Sequence, residues 1–493
     1  MGMAMQTGID AQYSPKGDAD NVQGGAMLVP CDSVCVDITP SHAVPLAGYA
    51  HRLSAFERVA DSLEANILRL GRGSEGGSEG GSGSVFIIQI DTLFCSAALT
   101  AAVYEAIGAR VAAGSLPPRE HLVFVASHTH GAPSLDPTKP LLGAVNKEYF
   151  DAVVEKLAVA LVSLLQGAAR PCSLAYGAAQ EHKNLAVARR RRSVFINRAW
   201  PYVHFGTVMQ PNPKTPFDRT IRLAVLRRAD DAQESTTKGG TERAVECVVW
   251  GWACHPVLYP DTAAVSADYV GHVRRAVRRH VGADVPVVFL PGFAGDLRPR
   301  IVTRRPSLRA RLALPFGAVF RPAETAEYEQ WCGDLGAQIC NLYEAVAGRM
   351  AGEAGAQDEA CAVPSVRCAE VDLSEIIDGD NGGKSCPLAV LSLKMPDGRG
   401  ICWPLVGAEA LASYDAPIRA AMDAGCEGKS VWPVAYYDAV FGYLPDDSHI
   451  AQGGYEAQRF FGSFGLNGRF KPNVQGRIVA AFQRLFEGGG GAV

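Results

Sequence analysis

The sequence has no CxxC pair among its 13 cysteines, which are odd in number and irregularly spaced. That pattern argues against the disulfide framework of a secreted scaffold and favours a reducing compartment. An unbroken apolar run of bilayer-spanning length is also missing, and the first residues show no basic segment leading into an apolar one. Integral membrane association and a secretory signal are therefore not expected. Charge of one sign is missing too: 47 Lys and Arg face 51 Asp and Glu, a net charge of −4. A chain so balanced has no general attraction for nucleic acid or anionic membrane. Basic clusters remain at 189–192 and 298–311, but without the interleaved aromatics that a strand-binding groove uses. The expectation is a cytoplasmic protein with no nucleic-acid partner, its oligomeric state left open.

What the chain does have is apolar material, 48% of 493 residues, enough for one large domain or two smaller cores. Strand-like runs fall near 65–70, 85–91, 122–127, 173–176, 221–226, 246–252, 286–290 and 388–394. Helical spacing covers 97–113, 147–165, 270–280, 326–350 and 475–486. This alternation predicts an α/β fold of mixed β-sheets flanked by helices. Residues 1–26 read as a flexible leader and 487–493 as a flexible tail. The span 27–486 reads as a single catalytic domain, with a composition shift at 352–360 marking a C-terminal subdomain from about 360. The glycine- and serine-rich stretch 71–84 reads as a hairpin tip, and 230–243 as a second surface loop. The Arg-, Pro- and Leu-rich stretch 304–321 is placed to roof a site or line a subunit contact.

The chemistry concentrates at two strand ends. The run Leu122-Val123-Phe124-Val125-Ala126 leads into Ser127-His128-Thr129-His130-Gly131, and residues spaced i, i+2 on extended chain face the same way. The apolar run 247–252 likewise leads into Ala253-Cys254-His255-Pro256, where proline stops the ladder. An isolated HxH is as readily a pair of polar residues satisfying backbone groups. A third histidine at a second strand end tilts the balance toward a metal, and a catalytic zinc would need carboxylate or phenolate ligands as well. Asp268, before a helix, reads first as an N-cap, one that could also brace His255, and second as a catalytic carboxylate. Asp296, inside Pro291-Gly292-Phe293-Ala294-Gly295-Asp296, reads either as turn chemistry or as a carboxylate near the metal.

Taken together and in order, these segments resemble the neutral, non-lysosomal ceramidase family. The resemblance rests on Val36-Asp37-Ile38-Thr39-Pro40, Leu46-Ala47-Gly48-Tyr49, the SHTHGAPS run, residues 184–192, WACHP, SADYVG, FAGDLRP, Val406-Gly407-Ala408-Glu409 and Phe441-Gly442-Tyr443-Leu444-Pro445. It spans roughly 27–486. It implies a zinc ion held by His128, His255, Glu409 and Tyr443, with His130 beside the metal as proton carrier. It places Arg189 where a family arginine lines the site and makes Tyr455 a site hydroxyl, and the expected mechanism has Arg189 or Tyr455 stabilise the oxyanion together with the metal. Without the family pattern, Glu409 reads as an acidic residue at a helix start and Tyr443 as an aromatic anchor.

The chain departs from the family in three places. Ala188 stands where the family has an asparagine before the arginine, which leaves Arg190 a rival to Arg189 and a solvated basic loop an alternative for both. Ala267-Asp268-Tyr269 replaces a Ser-Asp-Asn segment, with Ser266 one place early, so water rather than serine is the expected nucleophile. A signal peptide and a further C-terminal β domain are not seen, which turns the expected substrate away from ceramide itself. The resulting expectation is a zinc-dependent amidase that cleaves an N-acyl amide of a lipid-like or small-molecule metabolite by metal-activated water. The alternatives are a metal-dependent acyl transfer or cyclisation enzyme, a (β/α)₈ amidohydrolase, and a non-catalytic ligand-binding descendant of the fold.

Overall fold

The computed structural model describes residues 27–49, 52, 54–71, 83–112, 114–196, 203–229, 244–352, 361–395, 399–423 and 429–487. The expected leader 1–26, the tips of the loops at 71–84 and 230–243, most of the composition shift at 352–360 and the tail beyond 487 lie outside these residues.

A mixed eight-stranded sheet runs in the order Val287–Pro291, Val245–Trp252, Thr220–Arg228, Arg170–Gln180, Met27–Asp37, Glu64–Leu70, Val85–Ile90, Leu122–Ala126. Its outermost pairs are parallel and its middle antiparallel. A second sheet of Val363–Asp372, Ser385–Lys394, Gly400–Val406 and Lys429–Val431 packs on one face. Side-chain alternation explains why the strands read as continuous apolar runs. Val123 and Val125 join Leu391, Trp403 and Leu405 between the sheets, whereas Leu122, Phe124 and Ala126 face the helices Ala97–Gly108 and Lys147–Gln166. Helices Asp268–Val281 and Thr325–Gly352 cover the other half of that face against Trp250, Trp252 and Phe289. Beyond the second sheet, Ile478, Phe482 and Leu485 of Val474–Glu487 pack against the outward-facing Leu388 and Val390. The result is four layers, helix, sheet, sheet, helix, and the residues after 361 share a core with the first sheet.

The first sheet coils strongly enough for distant strands to touch. The Val287 N–H donates to Asn66 Oδ1 at 3.2 Å, and the Ser33 hydroxyl donates to the Glu246 carbonyl at 2.7 Å. Arg274 ties the helix above them to Asp91 at 2.8 Å. This coiling brings the C-terminal ends of Leu122–Ala126 and Val245–Trp252 together although five strands separate them in the sheet order. The two histidine-bearing ends therefore meet.

One alternative is ruled out. Residues 189–192 are not a solvated loop but part of Ala186–Ile196, which forms a long antiparallel hairpin with Val203–Asn212. Four consecutive arginines hide the strand pattern, yet Arg189 and Arg190 are buried, because a carboxylate from elsewhere neutralises them. The first helix also ends earlier than its apolar spacing predicts, at Gly108.

Candidate metal centre

His128 and His255 enter the centre in matched states. The His128 Nδ1 lies 3.0 Å from the Leu93 carbonyl and the His255 Nδ1 2.7 Å from the Ala294 carbonyl. A carbonyl only accepts, so each Nδ1 carries the proton and each Nε2 keeps its lone pair. Both lone pairs point at one oxygen: Glu409 Oε2 is 3.3 Å from His128 Nε2 and 3.1 Å from His255 Nε2. His128 is held in the left-handed backbone region at φ 64°, and its ring stacks on Tyr436 at 4.1 Å. Tyr436 itself has φ 59°, and such positions persist where the surrounding structure over-determines them. Glu409 comes from a two-residue strand paired in parallel with Tyr443-Leu444, which sets Glu409 beside Tyr443.

His130 completes a cluster in which the ring nitrogens of His128, His130 and His255 all lie within 4.8 Å of one another. Both of its ring nitrogens are enclosed without a hydrogen-bond partner, as is His128 Nε2. Orphaned buried nitrogens are costly unless something absent from the polypeptide satisfies them. These residues could hold a metal ion, and nitrogen and carboxylate donors suit zinc among others. Burial, with added repulsion from Arg189, lowers His255 to about 4, and burial together with its two histidine neighbours holds His130 well below its ordinary value.

The rivalry between the arginines is resolved by a bulge in the hairpin between Ala188 and Arg190. Arg189 turns inward: its Nη1 lies 3.4 Å from His255 Nε2, its Nη2 donates to the Tyr443 hydroxyl at 3.0 Å, and its Nε donates to Glu456 at 2.8 Å. Arg190 turns away and donates to the other Glu456 oxygen at 2.6 Å and to the Gly453 carbonyl at 2.7 Å. Tyr455 stands next to Tyr443, ring centroids 5.5 Å apart, with its hydroxyl pushed up to about 12 by burial and by the charge of Glu409. Glu456 and Tyr436 were not legible in the sequence. Glu456 had only its adjacency to Tyr455 to mark it, and Tyr436 had no marker at all.

The turn at Ala294-Gly295-Asp296 organises three of these groups at once. Ala294 orients His255, the Gly295 N–H donates to the Ala410 carbonyl at 2.8 Å, and the Asp296 carbonyl accepts from the Arg189 N–H at 2.8 Å. The Asp296 carboxylate accepts from the Ala412 N–H at 2.9 Å, so it secures the chain after Glu409. Gly295 approaches so closely that a Cβ would collide with the Glu409 carbonyl. Gly295→Ala is therefore expected to cost about 1–3 kcal/mol of stability and to weaken metal binding, measured by thermal melts and competitive chelator titration. Unchanged metal affinity would show that the turn does not position Glu409.

Asp268 is not the expected N-cap. It is the first residue of its helix, at φ 58°, and its carboxylate accepts from the backbone N–H groups of Leu258, Tyr259 and Tyr269 at 2.8, 2.7 and 2.6 Å. The cap position falls on Ala267, which has no side-chain oxygen to offer. Asp268 thus fixes the loop that leaves His255 rather than the imidazole. The Ser266 hydroxyl is engaged structurally, donating to Asp61 at 3.1 Å and accepting from the Asp268 N–H at 2.9 Å.

No protein-family model and no curated protein matches the sequence. Solved structures do match. A crystal structure of neutral ceramidase from Pseudomonas aeruginosa superposes with a TM-score of 0.63 at 15% identity, over 94% of this chain and 74% of that one. A ceramidase complexed with C2 gives a TM-score of 0.62 at 15% identity, over 94% and 75%. The chain has a neutral-ceramidase-like mixed α/β fold. Among the described residues no helix is long and apolar enough to cross a membrane.

Proposed function

We propose that this protein is a zinc-dependent hydrolase that cleaves an N-acyl amide of a lipid-like or small-molecule metabolite. The observation that carries the reading is the matched tautomeric state of His128 and His255, whose free lone pairs converge on one Glu409 oxygen within a ceramidase-like fold. His128, His255, Glu409 and Tyr443 would hold the ion. When bound, zinc supplies Lewis acidity, both to make a water acidic near neutral pH and to draw charge onto the acyl oxygen.

The chain's own side chains divide the remaining work. Arg189 is buried and stays charged, since Tyr443 and Glu456 more than offset the burial that would lower it, so its guanidinium can bind the developing oxyanion. The neutral His130 accepts a proton during attack and returns it to the departing nitrogen, which leaves poorly as an anion. Tyr455 presents a hydroxyl to the same side of the centre as Tyr443. With no other nucleophile assigned, Ser266 keeps a packing role.

The test is metal analysis of the purified protein, followed by mass spectrometry of N-acyl amides incubated with it. Stoichiometric zinc, with products that together gain the mass of one water, is the expected result. Protein that purifies without metal and refuses zinc would instead make this a ligand-binding relative of the fold, and products whose summed mass equals that of the substrate, the amine having been expelled by an internal group, would indicate ring closure. His130→Ala is expected to keep its metal and lose about 10²- to 10⁴-fold in turnover. Parallel loss of zinc would reassign His130 as a ligand, a role its place in the three-histidine cluster also permits.

A further inference from the structure

A second cleft, about 520 Å³, lies between the 186–212 hairpin and the lobe that follows Pro299. In that lobe Val302-Thr303 pairs with Val319-Phe320, and the short helix Leu308–Ala313 closes the span. Arg191, Arg300, Arg304 and Arg311 all line the cleft, and no aspartate or glutamate does. Among the described residues none of these four guanidiniums forms an ion pair or a side-chain hydrogen bond. The adjoining cleft differs, because it too is rich in arginine but its Asp218 and Asp415 carboxylates are met by Arg222 at 2.7 Å and Arg419 at 2.6 Å.

The lobe is shaped around this excess charge. Gly317, at φ +87°, passes so close to Arg191 that any Cβ would collide with the guanidinium. Arg298, opposite the lining residue Val187 in the ladder, lies against the Phe320 ring at 4.6 Å, and its Nε is enclosed without a partner. Five positive charges thus gather beneath one lobe with no internal counterion. Like charges repel, and such an arrangement is stabilised when an anion enters.

We propose that this cleft is a binding site for a phosphate-bearing ligand. Guanidinium forks match phosphate oxygens two at a time, and the volume is that of a small-molecule site. The phosphate can belong to a soluble ester or to an anionic lipid headgroup. Leu308, Leu312 and Phe316, exposed by 76%, 60% and 60% beside the cleft, would meet acyl chains in the second case.

The test uses the full chain with two probes, inorganic pyrophosphate in calorimetry and vesicles of phosphatidylserine against phosphatidylcholine in co-sedimentation. Saturable binding of at least one anionic probe is expected, weakening as salt rises. An Arg304→Gln, Arg311→Gln variant, altered at two exposed positions, is expected to bind about tenfold or more weakly. Arg305→Gln, outside the lining, should change affinity less than about twofold. Pyrophosphate binding that Leu312→Ser leaves intact identifies a soluble ligand. Phosphatidylserine binding that falls in both Leu312→Ser and the arginine variant identifies a headgroup. Failure of both probes to bind, or binding that survives the double arginine substitution, overturns the proposal.

Discussion

Replacing either His128 or His255 with alanine is expected to strip the metal from the protein and to lower catalysis by roughly a thousandfold or more, as happens when one member of a cooperating catalytic unit is removed. Each ring is fixed by a backbone carbonyl through Nδ1 and delivers Nε2 to the Glu409 oxygen. Loss of either leaves at most one correctly presented imidazole beside the carboxylate, His130 aside. The two substitutions differ in their cost to folding. Alanine at position 128 must still adopt φ 64° and gives up the stacking on Tyr436, so that variant should melt lower than His255→Ala. Metal content and activity, measured on protein shown to be folded, check the prediction. A folded His255→Ala protein that retains stoichiometric zinc would remove His255 from the ligand set.

The second large effect is expected at Glu456. Its carboxylate lies between two buried guanidiniums, 2.8 Å from Arg189 and 2.6 Å from Arg190. Glu456→Gln leaves two positive charges in a poorly solvated site with no anion between them, a change of about 3–5 kcal/mol. Because Arg189 reaches the metal centre from that anchor, turnover should fall with little change in KM, the signature of a group needed in the transition state. Adding Arg190→Gln restores charge balance and should recover part of the stability, which makes the pair a double-mutant cycle.

The pH dependence follows from the same contacts. Burial would raise the Glu456 carboxyl, but the two arginines outweigh it and hold it below its ordinary value of 4.5. A depressed folded value means the stabilisation is complete above that ordinary value and fades as the pH falls through the folded one. Acid denaturation of the unmodified protein should therefore steepen below about pH 4.5, and Glu456→Gln should be flatter across that window. Equal slopes would show that Glu456 contributes no proton linkage.

Seven of the eight strands of the first sheet were legible, all but Met27–Asp37, because burial on both faces demands long apolar runs, as at Leu122–Ala126 and Val245–Trp252, whereas of the second sheet only Ser385–Lys394 was. The hairpin Ala186–Ile196 was not, because its apolar pattern is broken by arginines whose counterion is 267 residues away in the chain. The same distance hid Glu456. Asp268 misled for a local reason: an aspartate at a helix start commonly caps, but here left-handed backbone aims its carboxylate back at the preceding loop.

By itself the sequence determined which residue types could meet at a metal, since the HxH run and the later histidine each follow an apolar strand, but the left-handed backbone at His128, rather than strand alternation, sets where the first imidazole points. It also determined the layered α/β class through the alternation of its periods. The tertiary structure alone decided which lone pairs converge, which of two adjacent arginines turns inward, and where unpaired guanidiniums gather under the 302–321 lobe. Those outcomes depend on carbonyls, a bulge and a coiled sheet that unite segments hundreds of residues apart, and no local pattern encodes such contacts.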